Sequence, residues 1–510
     1  MRGPHNLWRL IRTGATFERT GAMRAVLDAM DAPRSLRVAA RVLGWPFKWL
    51  GYEGDNSMPP APRALTALGP AYIKFGQILS TRPDVVGDEM AAELRVLQDK
   101  LPPFSVTEAK EAIERDLGVS PDAVFSEFSA PVAAASIAQV HRACLAETGE
   151  IVAVKVLRPG IERAFRRDID AFYFAARAIE WLSPSSRRLR PTEVIRHFEG
   201  VVSGELDLRL ESAAASEFAA NTEDDAGFRV PRVRWFLSGR RVMTLDWVDG
   251  VPLGDNAALD SAGHDRVHLS ERVLQLFLSH ALRDGFFHAD MHQGNLKVGP
   301  DGSIVAFDFG IMGHIDEYTR RVYAEILYGF IRRDYQRVAE VHFEAGYVPR
   351  DRDVHEFARA LRAVGEPIFG MDATRISMAR LLAYLFEVTE RFGMETRTEL
   401  ILLQRTMVVV EGVARSLNPH MNIWHVAQPV VEDYIKNSIG PRAVLRDLKQ
   451  TAEIFSRFGP RIPALVEDML IRQSQPEPVP PRRIWPLCMS WAAFGAALGA
   501  GAALLLGALG

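Results

Sequence analysis

The chain has 510 residues, 48% of them hydrophobic and 25% charged, with a net charge of −3. That supports a globular protein with more than one lobe and excludes the global basic field of a nucleic-acid-binding protein, so no nucleic-acid partner is expected. Its two cysteines, Cys144 and Cys488, lie far apart and suit a reducing compartment better than a disulfide scaffold.

Residues 1–60 come first. Positions 1–50 carry nine Lys/Arg against three Asp/Glu and no unbroken apolar run, so no signal peptide is read there. "LWRLIRTG" and "RVAARVLGWPFKWLG" mix aromatics, aliphatics and arginine. Two readings stay open: a basic amphipathic segment on an anionic membrane surface, or ordinary surface helices. Residues 61–120 have helical spacing, interrupted at Pro70 and Pro83.

The texture changes near residue 124. "SIAQVHRACLAETGEIVAVKVLRP" predicts two strands joined at "ETGE". Residues 161–220 turn helical again. "VPRVRWFLSGRRVMTLDWVDGVPL" predicts two more strands with a Ser-Gly turn, and "DWVDGVPL" connects onward to a helical region. Past about residue 270 the exception to helix is "NLKVGPDGSIVAFDFG", a hairpin with an Asp-Gly turn. The expected layout is therefore a lobe over 121–250, a helical lobe over 251–470, and a Pro-rich linker over 471–483. Residues 484–510 carry no charge and are long enough for one membrane-spanning helix. Arg482 and Arg483 before it should stay cytoplasmic, with Trp485 and Trp491 at the interface.

Four motifs fall in order. "APVAAASIAQVH" (130–141) opens the first hairpin, and "VAVK" ends at Lys155. "HAD" at 288–290 is followed by Asn295, and "FDFG" carries Asp308, Phe309 and Gly310. The alternation of His288, Asp290 and His292 also suits a transition-metal site, but that leaves Asn295 and Asp308 without a role. The four together resemble the protein-kinase signature. Asp290 would then stand as a carboxylate beside an acceptor hydroxyl or water. Asn295 and Asp308 would offer hard oxygens to Mg²⁺, and Lys155 would neutralise the α- and β-phosphates of ATP or ADP. The expected fold is α+β, a two-lobed kinase-like architecture with extra N-terminal helices.

The chain departs from ordinary kinases in three places. The glycine-rich loop is replaced by Ala133, Ala134, Ala135 and Ser136, which predicts a stiffer, partly helical loop over the phosphates. The segment after "FDFG" is short, with a helix from about Asp316 and no Ala-Pro-Glu, so a peptide platform is not expected. The glutamate that should pair with Lys155 is sought in "GELDLRLESAAASEF", some 50 residues downstream. There Glu205 and Asp207 read equally well as a solvated helix face.

These residues resemble the UbiB/AarF/ADCK family of atypical kinase-like proteins, and its bacterial UbiB members most. "YIKFGQILSTRPD" carries the K-x-G-Q motif at Lys74, Gly76 and Gln77. "AAASIAQVH" is the alanine loop, "ELDLRLE" the E-x-D motif, and "FFHADMHQGN" the catalytic loop, with Gln293 where proline is usual. "RRLRPTEV", "EPIFG" and "LLQRTMVVVEGVARSLNP" extend the likeness over roughly 60–440.

The resemblance implies that the helix bearing Lys74 and Gln77 crosses the cleft and occludes a peptide site. Glu205 and Asp207 would hold that motif near the nucleotide, and Glu211 would pair with Lys155. Residues Ala133 to His141, including Ile137, Ala138, Gln139 and Val140, would line the nucleotide. It further implies Mg-ATP-dependent, lipid-stimulated turnover at the bacterial inner membrane in support of ubiquinone synthesis. The partners would be membrane lipid, polyprenylated quinone precursors and other proteins of that synthesis. A homodimer is a further expectation. Three activities remain in play: ATPase or phosphotransferase, nucleotide-switched scaffold, and protein kinase. No dinucleotide fingerprint or flavin motif supports an oxidoreductase.

Overall fold

The computed structural model describes residues 3–29, 45–80, 86–97, 103–182, 190–370, 390–394 and 398–438, with single positions at 38, 384, 387 and 388. The expected linker and membrane-spanning segment lie outside the described residues. Among the described residues no helix is long and apolar enough to cross a membrane. Residues 1–436 form one compact unit.

The chain opens with α1 (Gly3–Thr20), α2 (Ala22–Ala29), a 3-10 turn (Trp45–Leu50), α3 (Pro60–Leu68), α4 (Pro70–Ser80) and α5 (Asp88–Leu94). Pro60 and Pro70 each take a first helical position, where a missing N–H leaves no bond unmade. Leu65, Tyr72, Ile73, Met90, Leu94 and Leu97 form the core of this group. Gly76 sits where α4 crosses its neighbours: a β-carbon there would come within 2.4 Å of Leu97 Cδ1 and 2.6 Å of Leu65 Cδ1. Thr13 of α1 meets the Tyr72 hydroxyl of α4 at 2.7 Å.

Next come α6 (Val106–Leu117), β1 (Phe125–Ala134), β2 (Ala138–Leu145) and β3 (Ile151–Leu157). Ser105 and Glu108 start α6 with a reciprocal capping box. Then follow α8, the label given to Ile161–Leu182 after the short α7 (Pro121–Val124), α9 (Pro191–Glu205) and α10 (Leu208–Asn221). Helices α8 and α9 fill the helical stretch expected between Lys155 and Glu211. Phe75 of α4 packs at a tilt against Phe172 of α8 and edge-to-face against Phe198 of α9.

Residues 228–252 correct the two-strand expectation. Only β5 (Val242–Asp246) joins the ladder; β4 (Phe228–Arg229) and β6 (Val251–Pro252) are two-residue strands of another sheet, and Trp235–Leu237 is a 3-10 turn. Pro231 has no N–H to give a ladder, and the run beyond it keeps one bridge, Val233 to Leu245. The antiparallel order is β1-β2-β3-β5. Val152, Val154 and Val156 pack with Ala112 and Ile113 of α6. The strand period of two therefore turns Lys155 to the opposite face.

The helical part holds α11 (Asn256–Ser261), α12 (Arg266–Ser279), a π-turn (His280–Asp284), β7 (Phe286–His288), β8 (Leu296–Val298), β9 (Ile304–Ala306) and β10 (Met312–His314). It continues with α13 (Glu317–Arg332), α14 (Tyr335–Glu344), α15 (Val354–Gly370), α16 (Thr398–Leu417) and α17 (Ile423–Ser438). The hairpin β8–β9 forms as expected, with Gly302 at φ +79° in its turn. β10 returns to pair with β7, so the motif loops on either side of the hairpin are brought together. The architecture is mixed α/β and rich in helix.

Candidate nucleotide site

Lys155 stands on a central strand, paired in register with Val140 of β2 and Met243 of β5. Its Nζ donates to Glu211 Oε1 at 2.6 Å and lies 3.8 Å from Asp308 Oδ2. Glu211 is in the first turn of α10 and its side chain is 10% exposed. Burial would by itself lower the Lys155 pKa, but Asp308 and then Glu211 reverse this and hold it above the ordinary lysine range. Burial raises Glu211, with Lys155 opposing. The Lys155 ammonium is the main cause that holds Asp308 below the usual carboxylate range, so Asp308 is ionised at neutral pH.

The catalytic loop leaves β7 at His288. His288 is 1% exposed and its Nδ1 accepts from the Asp290 amide at 3.1 Å, with Phe309 beside the ring. Burial keeps its pKa low, against the pull of Asp308 and Asp290. A neutral ring accepting at Nδ1 orients the loop. The Asp290 side chain is 41% exposed, open to a substrate. Asn295 donates Nδ2 to the Asp290 carbonyl at 3.0 Å and to its Oδ2 at 3.2 Å. That commits the amide nitrogen and leaves the amide oxygen as the donor for a cation. His292 accepts from the Gly294 amide at 2.9 Å, and its Nε2 is 3.6 Å from Asp290 Oδ2. Gln293 lies against Gly254.

Asp308 and Asn295 fit magnesium: one ionised carboxylate and one neutral oxygen, with phosphate oxygens and water to complete the shell. Among the described residues no group of three or more His, Cys, Asp or Glu is placed to hold a metal ion.

The alanine loop is not helical, which corrects the expectation. Ala133 and Ala134 extend β1 and pair with Val140 and Gln139. Ala135, Ser136 and Ile137 make the turn, closed by the Ala135 amide on the Ala138 carbonyl at 2.8 Å. Arg158 pins it, its amide bonding the Ile137 carbonyl and its Nη2 the Ala135 carbonyl. The register also corrects two candidate contacts. Val140 shares the face of Lys155, so Gln139 and His141 turn to the other face. Gln139 holds both backbone groups of Phe104 and lies 2.8 Å from His141 Nε2, whose other nitrogen meets the Ser129 carbonyl.

Glu205 ends α9 and binds Lys74 of α4 at 2.6 Å, both side chains under 20% exposed, so it is not a solvated face. Asp207 behaves otherwise: it caps α10 and binds Arg209. Gln77 donates to the Leu97 carbonyl at 3.0 Å. Gly76 serves packing. One residue was missed in the sequence: Lys297 donates to the Val248 carbonyl at 3.1 Å and stacks on Trp247, tying the connector to β8. Its only signal was a lysine on a three-residue strand.

Residues 96–342 match the ABC1 atypical kinase-like domain and residues 361–422 the UbiB helical domain. A protein of Marinobacter nauticus named "Probable protein kinase UbiB" is 40% identical over 420 residues, covering 81% of this chain and 77% of that one. Another of that name from Enterobacter sp. strain 638 is 41% identical over 471 residues, covering 91% and 85%. Among solved structures, the Rv3197–erythromycin complex from Mycobacterium tuberculosis superposes with a TM-score of 0.52 at 25% identity, covering 71% of this chain and 92% of that one. On these likenesses and the geometry of Lys155, Glu211, Asp290, Asn295 and Asp308, the chain belongs to the UbiB family of ABC1 atypical kinase-like proteins.

Proposed function

We propose that the chain is an Mg-ATP-dependent ATPase or phosphotransferase, anchored in the bacterial inner membrane by residues 484–510, that supports ubiquinone synthesis by acting on or mobilising lipid-soluble quinone precursors. The observation that carries the reading is the buried Lys155–Glu211 pair at 2.6 Å with Asp308 beside it. A lysine fixed between two carboxylates is poised to give its charge to phosphate oxygens. Asp290, exposed at the loop, would orient an acceptor hydroxyl or water and take up its proton. Asn295 and Asp308 would hold magnesium, which when bound neutralises charge on the phosphate oxygens.

The chain after Gly310 passes through β10 directly into α13, and the Asp316 side chain caps that helix. It offers little length for a peptide platform, which favours a small-molecule or water acceptor over a protein. The UbiB naming of relatives supports the quinone role. Membrane lipid, quinone precursors and other proteins of the synthesis are the partners this reading entails.

The test is ATP turnover by the full chain in detergent, with product analysis to ask whether phosphate ends on water or on a phenolic quinone precursor. Asp308→Asn should abolish Mg-dependent nucleotide binding, and Asp290→Asn should retain binding but lose turnover by 10²-fold or more, on the order expected for a lost general base. Full rescue of a quinone-deficient strain by Asp290→Asn would sink the catalytic reading and leave a nucleotide-switched scaffold.

A further inference from the structure

The N-terminal corner presents aromatics that the core does not use. His5, Trp8 and Arg12 share one face of α1 by helical spacing. The 3-10 turn Trp45–Leu50 closes onto the same helix at Gly51. A β-carbon on Gly51 would lie 2.3 Å from the Ala15 carbonyl oxygen, and Arg19 Nη1 holds the Gly51 carbonyl at 2.8 Å. This clamp sets Tyr52 beside Arg12. The guanidinium bonds the Tyr52 hydroxyl at 3.0 Å and lies 5.4 Å from its ring and 5.7 Å from that of Trp8. Phe47, Lys48 and Trp49 project from the turn into solvent.

Trp49 is 75% exposed, Trp8 48%, Phe47 46% and Tyr52 43%. A single exposed aromatic means nothing, but four in one corner around two cations form a patch. Among the described residues neither Arg12 nor Lys48 pairs with a carboxylate, whereas the adjacent Glu53 is held by Arg19 at 3.1 Å. The charge balance of residues 1–50, nine cations to three acids, has the same sign. Tryptophan and tyrosine rings settle at the headgroup level of a bilayer, and unpaired Lys/Arg beside them meet anionic headgroups.

We propose that this corner, formed by α1, the 3-10 turn and Tyr52, is a docking surface for an anionic lipid bilayer. It is distinct from the nucleotide site. It rests on the proposed function only for the bilayer being at hand, and it gives the folded unit a second point of attachment besides residues 484–510.

The experiment uses the full chain in nanodiscs of phosphatidylcholine, with or without phosphatidylglycerol, some lipids carrying a nitroxide quencher. In a background of Cys144→Ser and Cys488→Ser, a fluorophore is placed at His5→Cys or, as a distant exposed control, at Ser261→Cys. Quenching at position 5 should exceed that at 261 at least threefold in anionic discs and fall with added salt. Trp49→Ala with Phe47→Ala, or Lys48→Glu with Arg12→Glu, should bring it to the control level. Equal quenching at the two labels, or quenching at position 5 that survives both double variants, overturns the proposal. ATP turnover of the same samples in detergent should be unchanged by these substitutions. Its absence throughout would count against the enzymatic reading, while the quenching result still decides the docking surface.

Discussion

Lys155 and Glu211 show why the site is sensitive to single residues. Each is buried enough that its charge depends on the other, with Asp308 as a third member. Removing one partner of such a pair strands the other. Lys155→Met should therefore cost about 1–3 kcal/mol of stability, the desolvation penalty of a stranded buried group. It should also weaken ATP binding at least tenfold. Denaturant unfolding and calorimetric titration check both; wild-type stability with normal ATP affinity would show that the pair is ornamental. Asp290, Asn295 and Asp308 were legible as candidates because their spacing is local and their chemistry specific, and Lys155 because its motif precedes theirs in a recognisable order. Glu211 was expected from the family resemblance; the residues alone left Glu205, Asp207 and Glu211 as candidates, because which of them is buried depends on how one residue, Leu206, joins α9 to α10.

At the scale of elements, α4 shows a motif residue whose work is packing. Gly76 lets the helix approach Leu65 and Leu97, which in turn allows Lys74 to reach Glu205 and Gln77 to reach the Leu97 carbonyl. Gly76→Ala trades a gain in helix propensity of roughly 1 kcal/mol against overpacking of about 1–3 kcal/mol. The two leucine methyl groups belong to a buried core and have little room to yield, so the clash should win. A net loss of about 1 kcal/mol is expected in a melting experiment, and a stabilised variant would show that the core gives way. The same scale explains what the sequence pattern missed. Alanine propensity favoured helix at 133–135, but pairing of Ala133 and Ala134 with β2 overrides it. The turn of Gln139 and His141 away from the cleft follows from register, which a strand's composition does not state. Strands β7 and β10 have three residues each, too few for any period to be read.

For the whole molecule, the order of motifs and the change from helix to strand and back were readable, because each element carries its own pattern. How they come together depends on contacts distant in sequence, such as Lys155 with Asp308. Histidines packed into the interior, His342 only partly so, add a property of the whole fold. Burial lowers the pKa of His141, His280, His288 and His342, with the neutral ring favoured in each. His342, on α14, is lowered from 6.5 to about 4; its Nδ1 lies 2.7 Å from the Val338 carbonyl, and Tyr347 and Phe357 pack on the ring. Above pH 6.5 the ring is neutral in both folded and unfolded chains, and its contribution to stability is fully present. As pH falls below 6.5 the unfolded chain takes up a proton that the folded chain refuses until about pH 4, so stability is lost across that window. From this residue alone, lowering the pH from about 7 to about 5.5 should cost about 1 kcal/mol. In denaturant titrations of the full chain in detergent, His342→Leu should flatten the loss by that amount. An identical pH dependence in the variant would mean that the ring is solvated and titrates alike in both states.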